Sequence, residues 1–66
     1  MEKGKVKRLK EKFGFLTMES GEDVFFVPMV LEKRGPKFEE LHEGQAVEAE
    51  VEQGEKGLRA SVVRVL

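Results

Sequence analysis

Two short segments, Phe13-Gly14-Phe15-Leu16 and Asp23-Val24-Phe25-Phe26-Val27, hold four of the five Phe residues and constrain the fold more than anything else in the chain. Side chains on an extended strand alternate between faces, so residues i and i+2 share one. Phe13, Phe15 and Phe25 can therefore all point one way. A second apolar set, Leu16, Val24 and Phe26 with Val6, competes for the inside. A small fold has only one inside, so one set must face water. A row of exposed phenyl rings marks an interaction surface. Alternation alone leaves a second arrangement open, with two of these Phe in the core and the third an ordinary exposed apolar residue.

The rest of the chain reads as strands punctuated by Gly and Pro, with no helix-length apolar period. Lys5 to Lys10 alternates, but its apolar residues Val6 and Leu9 are three apart. That slip of phase predicts a bulge. Lys10-Glu11-Lys12 is a tight connection, Phe13 to Glu19 a second strand, and Ser20-Gly21-Glu22 a turn. Val24 to Val27 forms a third strand, ended by Pro28, which has no N–H for a ladder. Met29 to Lys33 suits one short helical turn, and Arg34-Gly35-Pro36-Lys37 is loop. Phe38 to Leu41 leads into a turn at His42-Glu43-Gly44. Ala46 to Val51 alternates most cleanly, Gly54-Glu55-Lys56-Gly57 is a hairpin loop, and Leu58 to Leu66 is the last strand. Five short strands, with the longest gap between the third and fourth, predict an all-β, antiparallel Greek-key barrel. Residues 1–66 form a single domain.

Composition narrows the function. With no Cys, neither disulfides nor Cys-ligated zinc can staple the fold. No apolar run reaches membrane-spanning length and no export signal is visible, so a cytoplasmic protein without membrane attachment is expected. Net charge is −1 overall, yet it divides unevenly: residues 1–12 carry +4 and residues 13–66 carry −5. The basic strand has two readings. It is a phosphate-binding stripe beside the Phe row, or a solvated Lys face that protects a sheet edge. Abundant Glu and Lys with no Asn gives a bias of the kind seen in heat-adapted proteins.

Catalytic chemistry has little to build on. His42 is the sole His and sits in a Glu-rich turn, and Ser20 and Ser61 lack a His-Asp partner pattern. Glu48, Glu50 and Glu52 alternate as the wet face of a strand. No spacing suits a metal, and Gly54 and Gly57 serve a hairpin rather than a phosphate loop. No catalytic residue, metal or cofactor is therefore expected. The Phe row is different, because base stacking contributes about 1–3 kcal/mol per base without needing a particular sequence. Lys5, Lys7, Arg8, Lys10 and Lys12 could supply phosphate contacts that weaken with salt.

At this point the residues meet a known pattern. Gly4-Lys5-Val6-Lys7, Lys12-Phe13-Gly14-Phe15-Leu16 and Asp23-Val24-Phe25-Phe26 stand in the order of the cold-shock domain. Phe38 three residues before Leu41, then Glu43-Gly44-Gln45-Ala46-Val47, then Gly54, Gly57 and Ala60 continue it. The chain resembles that family along essentially its whole length. The resemblance implies a five-stranded OB-fold barrel that binds single-stranded RNA and DNA with little sequence preference. Proteins of the family act as RNA chaperones, some as transcription antiterminators, so a regulator of transcription or translation is also implied. By the same resemblance Lys7, Phe13, Phe15, Phe25 and Phe38 fall on the binding face, while Phe26 is core.

The departures matter as much. Where the family has Trp-Phe-Asn on its first strand, this chain has Arg8-Leu9-Lys10, and the following connection is about two residues shorter. Where the family has His and a polar or aromatic residue after the second Phe segment, this chain has Val27-Pro28. Leu58 replaces a Pro. Up to three flat side chains are lost, and at about 1 kcal/mol or more each affinity should fall by two or more orders of magnitude. Arg8 can compensate by stacking and by pairing with phosphate, if the shortened connection leaves it on that face; Val27 adds only apolar contact. The leading expectation is a monomeric, non-enzymatic binder of single-stranded RNA or DNA, using Phe13, Phe15, Phe25, Phe38 and Val27 with Lys5, Lys7, Arg8, Lys10 and Lys12. The alternative is a barrel of the same fold, weakened toward nucleic acid, whose Phe patch serves protein contact or dimerisation.

Overall fold

Each alternating segment is a strand in the computed structural model, which describes residues 1–55 and 57–66. The strands are β1 (Glu2–Leu9), β2 (Gly14–Met18), β3 (Asp23–Phe26), β4 (Ala46–Gly54) and β5 (Gly57–Val65). They close into a barrel in the order β1-β2-β3-β5-β4, with β4 returning to β1. Four seams are antiparallel, as the alternation predicts. The fifth, between β3 and β5, runs parallel at Phe25 and Arg59. The expected hairpin loop includes Lys56, which lies outside the described residues.

The apolar residues that alternate inward fill the barrel. Leu16, Val24, Val47, Val63 and Phe26 are fully buried, and Val6, Met18, Leu41, Ala49 and Ala60 complete the wall. Fully burying a large apolar side chain stabilises the fold by about 1.5–3 kcal/mol, so these positions carry much of the fold's stability. The predicted bulge is present. Val6 faces Leu16 while Arg8 faces Phe15, leaving Lys7 as the extra residue of β1. The insertion lets Val6 turn inward and Leu9 pack on the core three residues later, while Lys7 and Arg8 both stay exposed. A similar shift between Glu50 and Val51 lets Ala60 and Val63 both enter the core from β5.

Gly14 explains how Phe13 and Phe15 can flank an inward position. A Cβ there would stand 2.7 Å from Cε1 of Phe26 and 3.0 Å from the Arg8 carbonyl oxygen. The Phe26 ring thus occupies the space that any side chain at residue 14 would need. Gly44 serves a turn. Its φ of 87° lies in the left-handed region, and its N–H donates to the Val6 carbonyl at 2.7 Å, fastening the start of β4 to β1.

The long β3–β4 connection covers one part of the barrel. It contains a 3-10 turn at Pro28–Val30, starting one residue before the expected helical turn, and a second at Phe38–Glu40 that alternation did not indicate. Leu31 bridges Val63, the Glu32 N–H donates to the Val63 carbonyl at 3.0 Å, and Arg64 pairs with the Glu32 carboxylate. The backbone N–H of Lys37 donates to Oε1 of Glu40 at 3.0 Å, closing the second turn. No helix among the described residues is long and apolar enough to cross a membrane.

Candidate nucleic-acid interface

The outer face of β1, β2 and β3 receives whatever the core rejects. Register places its residues in rows. Arg8 on β1 lies opposite Phe15 on β2, Phe15 opposite Phe25 on β3, and Phe25 beside Arg59 on β5. The next row runs Lys5, Thr17, Asp23. Phe13, just before β2, completes a cluster with its ring centroid 5.7 Å from that of Phe15 and 5.4 Å from that of Phe25. Phe15 and Phe25 are 6.0 Å apart. The rings meet edge-on or tilted, the arrangement the aromatic quadrupole favours, and each such pair is worth about 0.5–1.5 kcal/mol. The cluster therefore holds its own shape while leaving flat surface to solvent: Phe25 is 37% exposed, and Phe13 and Phe15 are half-buried. The second arrangement left open by alternation, with two of these three in the core, does not occur.

The cations surround the rings but are not equivalent. The Lys10 N–H donates to the Phe13 carbonyl at 2.8 Å, so Lys10 and Lys12 lie in the turn that presents the cluster, both exposed. Arg8 is on the outer face opposite Phe15, so the shorter connection after β1 leaves it there. Lys7 is engaged: its Nζ donates to Oδ2 of Asp23 at 2.6 Å, while the Thr17 hydroxyl donates to Oδ1 at 3.2 Å. The Lys7 bond, with the Thr17 bond and the ammonium charge, holds the Asp23 carboxyl below the usual Asp range against partial desolvation. Among the described residues, Lys5, Arg8, Lys10 and Lys12 form no ion pair. Val27 is half-buried at the exit of β3, immediately before the Pro28 turn.

Phe38 corrects the sequence reading. It is 9% exposed, belongs to the core, and its ring centroid lies 5.8 Å from that of Phe26. The 3-10 turn at Phe38–Glu40 directs it inward, where with Leu41 it covers apolar surface that the strands leave open. The outer cluster thus has three Phe rings, with Phe38 behind it.

Sequence reasoning also missed a groove of about 650 Å³ beside the cluster, lined by Phe15, Phe25, Gln53, Gly54, Leu58 and Arg59 among others. It forms because the parallel β3–β5 seam brings the start of β5 next to Phe25. No local pattern announces that pairing, and the signal available was only the Arg at residue 59 beside the core residue Ala60.

An apolar cluster of flat rings bordered by unpaired cations is suited to a polyanion with exposed aromatic faces. Comparison with known proteins agrees. Residues 2–66 match the family described as the 'Cold-shock' DNA-binding domain. A cold shock-like protein of Thermotoga maritima is 42% identical over 66 residues, and cold shock protein CspC of Bacillus subtilis is 41% identical over 66 residues. Each match covers 97% of both chains. Among solved structures, Drosophila Unr CSD456 is similar with a TM-score of 0.79 at 32% identity, over 98% of this chain and 26% of that one. The chain belongs to the cold-shock domain family, whose members bind nucleic acid and are not enzymes.

Proposed function

We propose that this protein binds single-stranded RNA or DNA as a monomer, with bases stacked on Phe13, Phe15 and Phe25. Lys5, Arg8, Lys10 and Lys12 follow the phosphates, Lys7 contributes as it parts from Asp23, and Val27 extends the apolar surface. One observation carries the reading: three phenyl rings stay on the outer face although the barrel core is filled by other residues. Stacking on rings reads no particular base, so sequence preference is weak. Binding unpaired strands shifts RNA hairpins toward open forms by mass action. That is the physical content of an RNA chaperone in the cytoplasm, and a route to regulating transcription or translation.

With Arg8 where the cold-shock pattern has Trp and Phe38 packed against Phe26, the platform is short. Affinity rests more on phosphate contacts and is steeply salt-dependent. Titration of labelled oligo-U and oligo-dT at two salt concentrations tests this. Binding to both, falling steeply with salt, is the expected result. No binding to either at low salt, with a mass that rises with protein concentration, would instead favour a protein-contact or dimerisation role for the Phe cluster.

A further inference from the structure

Beyond the Phe cluster, we infer that the groove between Phe25 and the start of β5 holds one further nucleotide, with Arg59 as its phosphate contact and Glu52 as a built-in restraint on that contact. The inference rests on the proposed single-strand binding and extends it from Phe15 and Phe25 onto β5.

The groove offers apolar, hydrogen-bonding and cationic contacts to a nucleotide, with the Glu55 carboxylate also in its lining. Phe25, Phe15 and Leu58 supply apolar lining against which a flat base can lie. Gln53 supplies an amide with both donor and acceptor capacity for a base edge. Arg59 supplies the cation. The groove is also continuous with the cluster, since Arg59 stands beside Phe25 in the same register row that begins at Arg8. The row Arg8, Phe15, Phe25, Arg59 thus places a guanidinium at each end of two stacked-base positions.

The two ends differ in one respect. Arg8 has no ion pair among the described residues, whereas Nε of Arg59 donates to Oε1 of Glu52 at 3.0 Å across the β4–β5 ladder. This bond takes one of the five guanidinium N–H groups and leaves the terminal amino groups for a phosphate. Glu52 therefore orients the guanidinium but partly cancels its charge. Both side chains are about half-exposed, so the pair is readily hydrated and yields to a phosphate. A neutral amide at residue 52 would keep the orienting acceptor and remove the opposing charge.

The test is oligo-dT and oligo-U binding across chain lengths and salt concentrations, with thermal melting to verify folding. Arg59→Gln should weaken binding about 3- to 10-fold, lower the salt slope by about 0.7 as expected for one lost single-strand phosphate contact, and make affinity level off about one nucleotide earlier in the length series. Arg59→Lys should retain the salt slope. Glu52→Gln should tighten binding about 3-fold more than Glu50→Gln, a change to an exposed carboxylate on the same strand that makes no bond to Arg59. In the Arg59→Gln background that advantage should vanish. Equal effects of the two Glu changes, or an Arg59→Gln variant with unchanged slope and length dependence, would overturn the inference. If Phe15→Ala and Phe25→Ala still weaken binding in that case, the proposed function stands without it. No binding by the parent chain would overturn both.

Discussion

Two groups of Phe lie back to back in this barrel, and their contrast explains how a chain of 66 residues holds a core and a binding surface at once. Phe26 and Phe38 pack together inside, 1% and 9% exposed. Phe13, Phe15 and Phe25 pack equally closely outside, with centroids 5.4–6.0 Å apart. Phe25 and Phe26 are neighbours in sequence, so chemistry and local propensity cannot separate them. The pleat does, by sending one ring to each face of β3. Gly14 makes the division possible on β2, because its missing side chain gives the Phe26 ring room directly behind the outer cluster. The inner rings should set stability and the outer rings affinity.

The sharpest way to break that division is to truncate an inner ring. Phe26→Ala should cost about 3–5 kcal/mol through the lost burial and the cavity left behind. A chain this small has a total stability of about 3–10 kcal/mol, so calorimetry or chemical denaturation should find the variant largely or wholly unfolded. Phe38→Ala should also destabilise, by about 2–4 kcal/mol, since its ring is at the edge of the core and relaxes more easily. In a medium where it remains folded, its affinity for oligo-U should stay within about 3-fold of the parent. A collapse of affinity in folded Phe38→Ala would return that ring to the binding face.

An outer ring should behave in the opposite way. Phe25→Ala should weaken oligonucleotide binding by about 1–3 kcal/mol, roughly 5- to 150-fold, by loss of a stacking surface. Its stability should fall by about 1–3 kcal/mol, the worth of its contacts with the other two rings, less than the loss in Phe26→Ala.

Charge effects should be smallest. Asp23 has its carboxyl pulled down by the Lys7 bond, and Glu32 by the Arg64 bond. A depressed carboxyl contributes stability above its unfolded pKa and loses it as pH falls through the folded value. Melting temperature should therefore be insensitive to these groups near neutrality and decline in the acid range below about pH 4. Asp23→Asn should flatten part of that decline. An unchanged acid limb would mean that the Lys7–Asp23 pair contributes nothing to stability.

Much of this division is legible in the sequence because strands obey a period of two. The inner set Leu16, Val24 and Phe26, the outer set Phe13, Phe15 and Phe25, and the bulge that reconciles Val6 with Leu9 all follow from alternation and its single slip. Phe38 was misplaced because it lies in a non-repeating connection, where no period assigns a face and only tertiary packing decides. The resemblance to cold-shock domains put it on the binding side, but here it fills space against Phe26. The groove at Arg59 was invisible for a related reason: β3 and β5 are distant in sequence, and their short parallel pairing has no hairpin turn to announce it. Pairing of Lys7 with Asp23 likewise depends on three strands meeting in register, so counting cations along β1 overstated the charge free to meet a phosphate.

The central claim is that the outer rings form a binding platform and contribute little to the core. It is tested most directly by measuring oligo-U affinity and thermal stability together on the Phe15→Ala/Phe25→Ala double variant. The account predicts binding reduced at least about 30-fold, with a cooperative melt that persists, lowered by the loss of three ring pairs but still at a higher temperature than that of Phe26→Ala. Retained binding with a melt that collapses would contradict it, and would assign the two rings to the core.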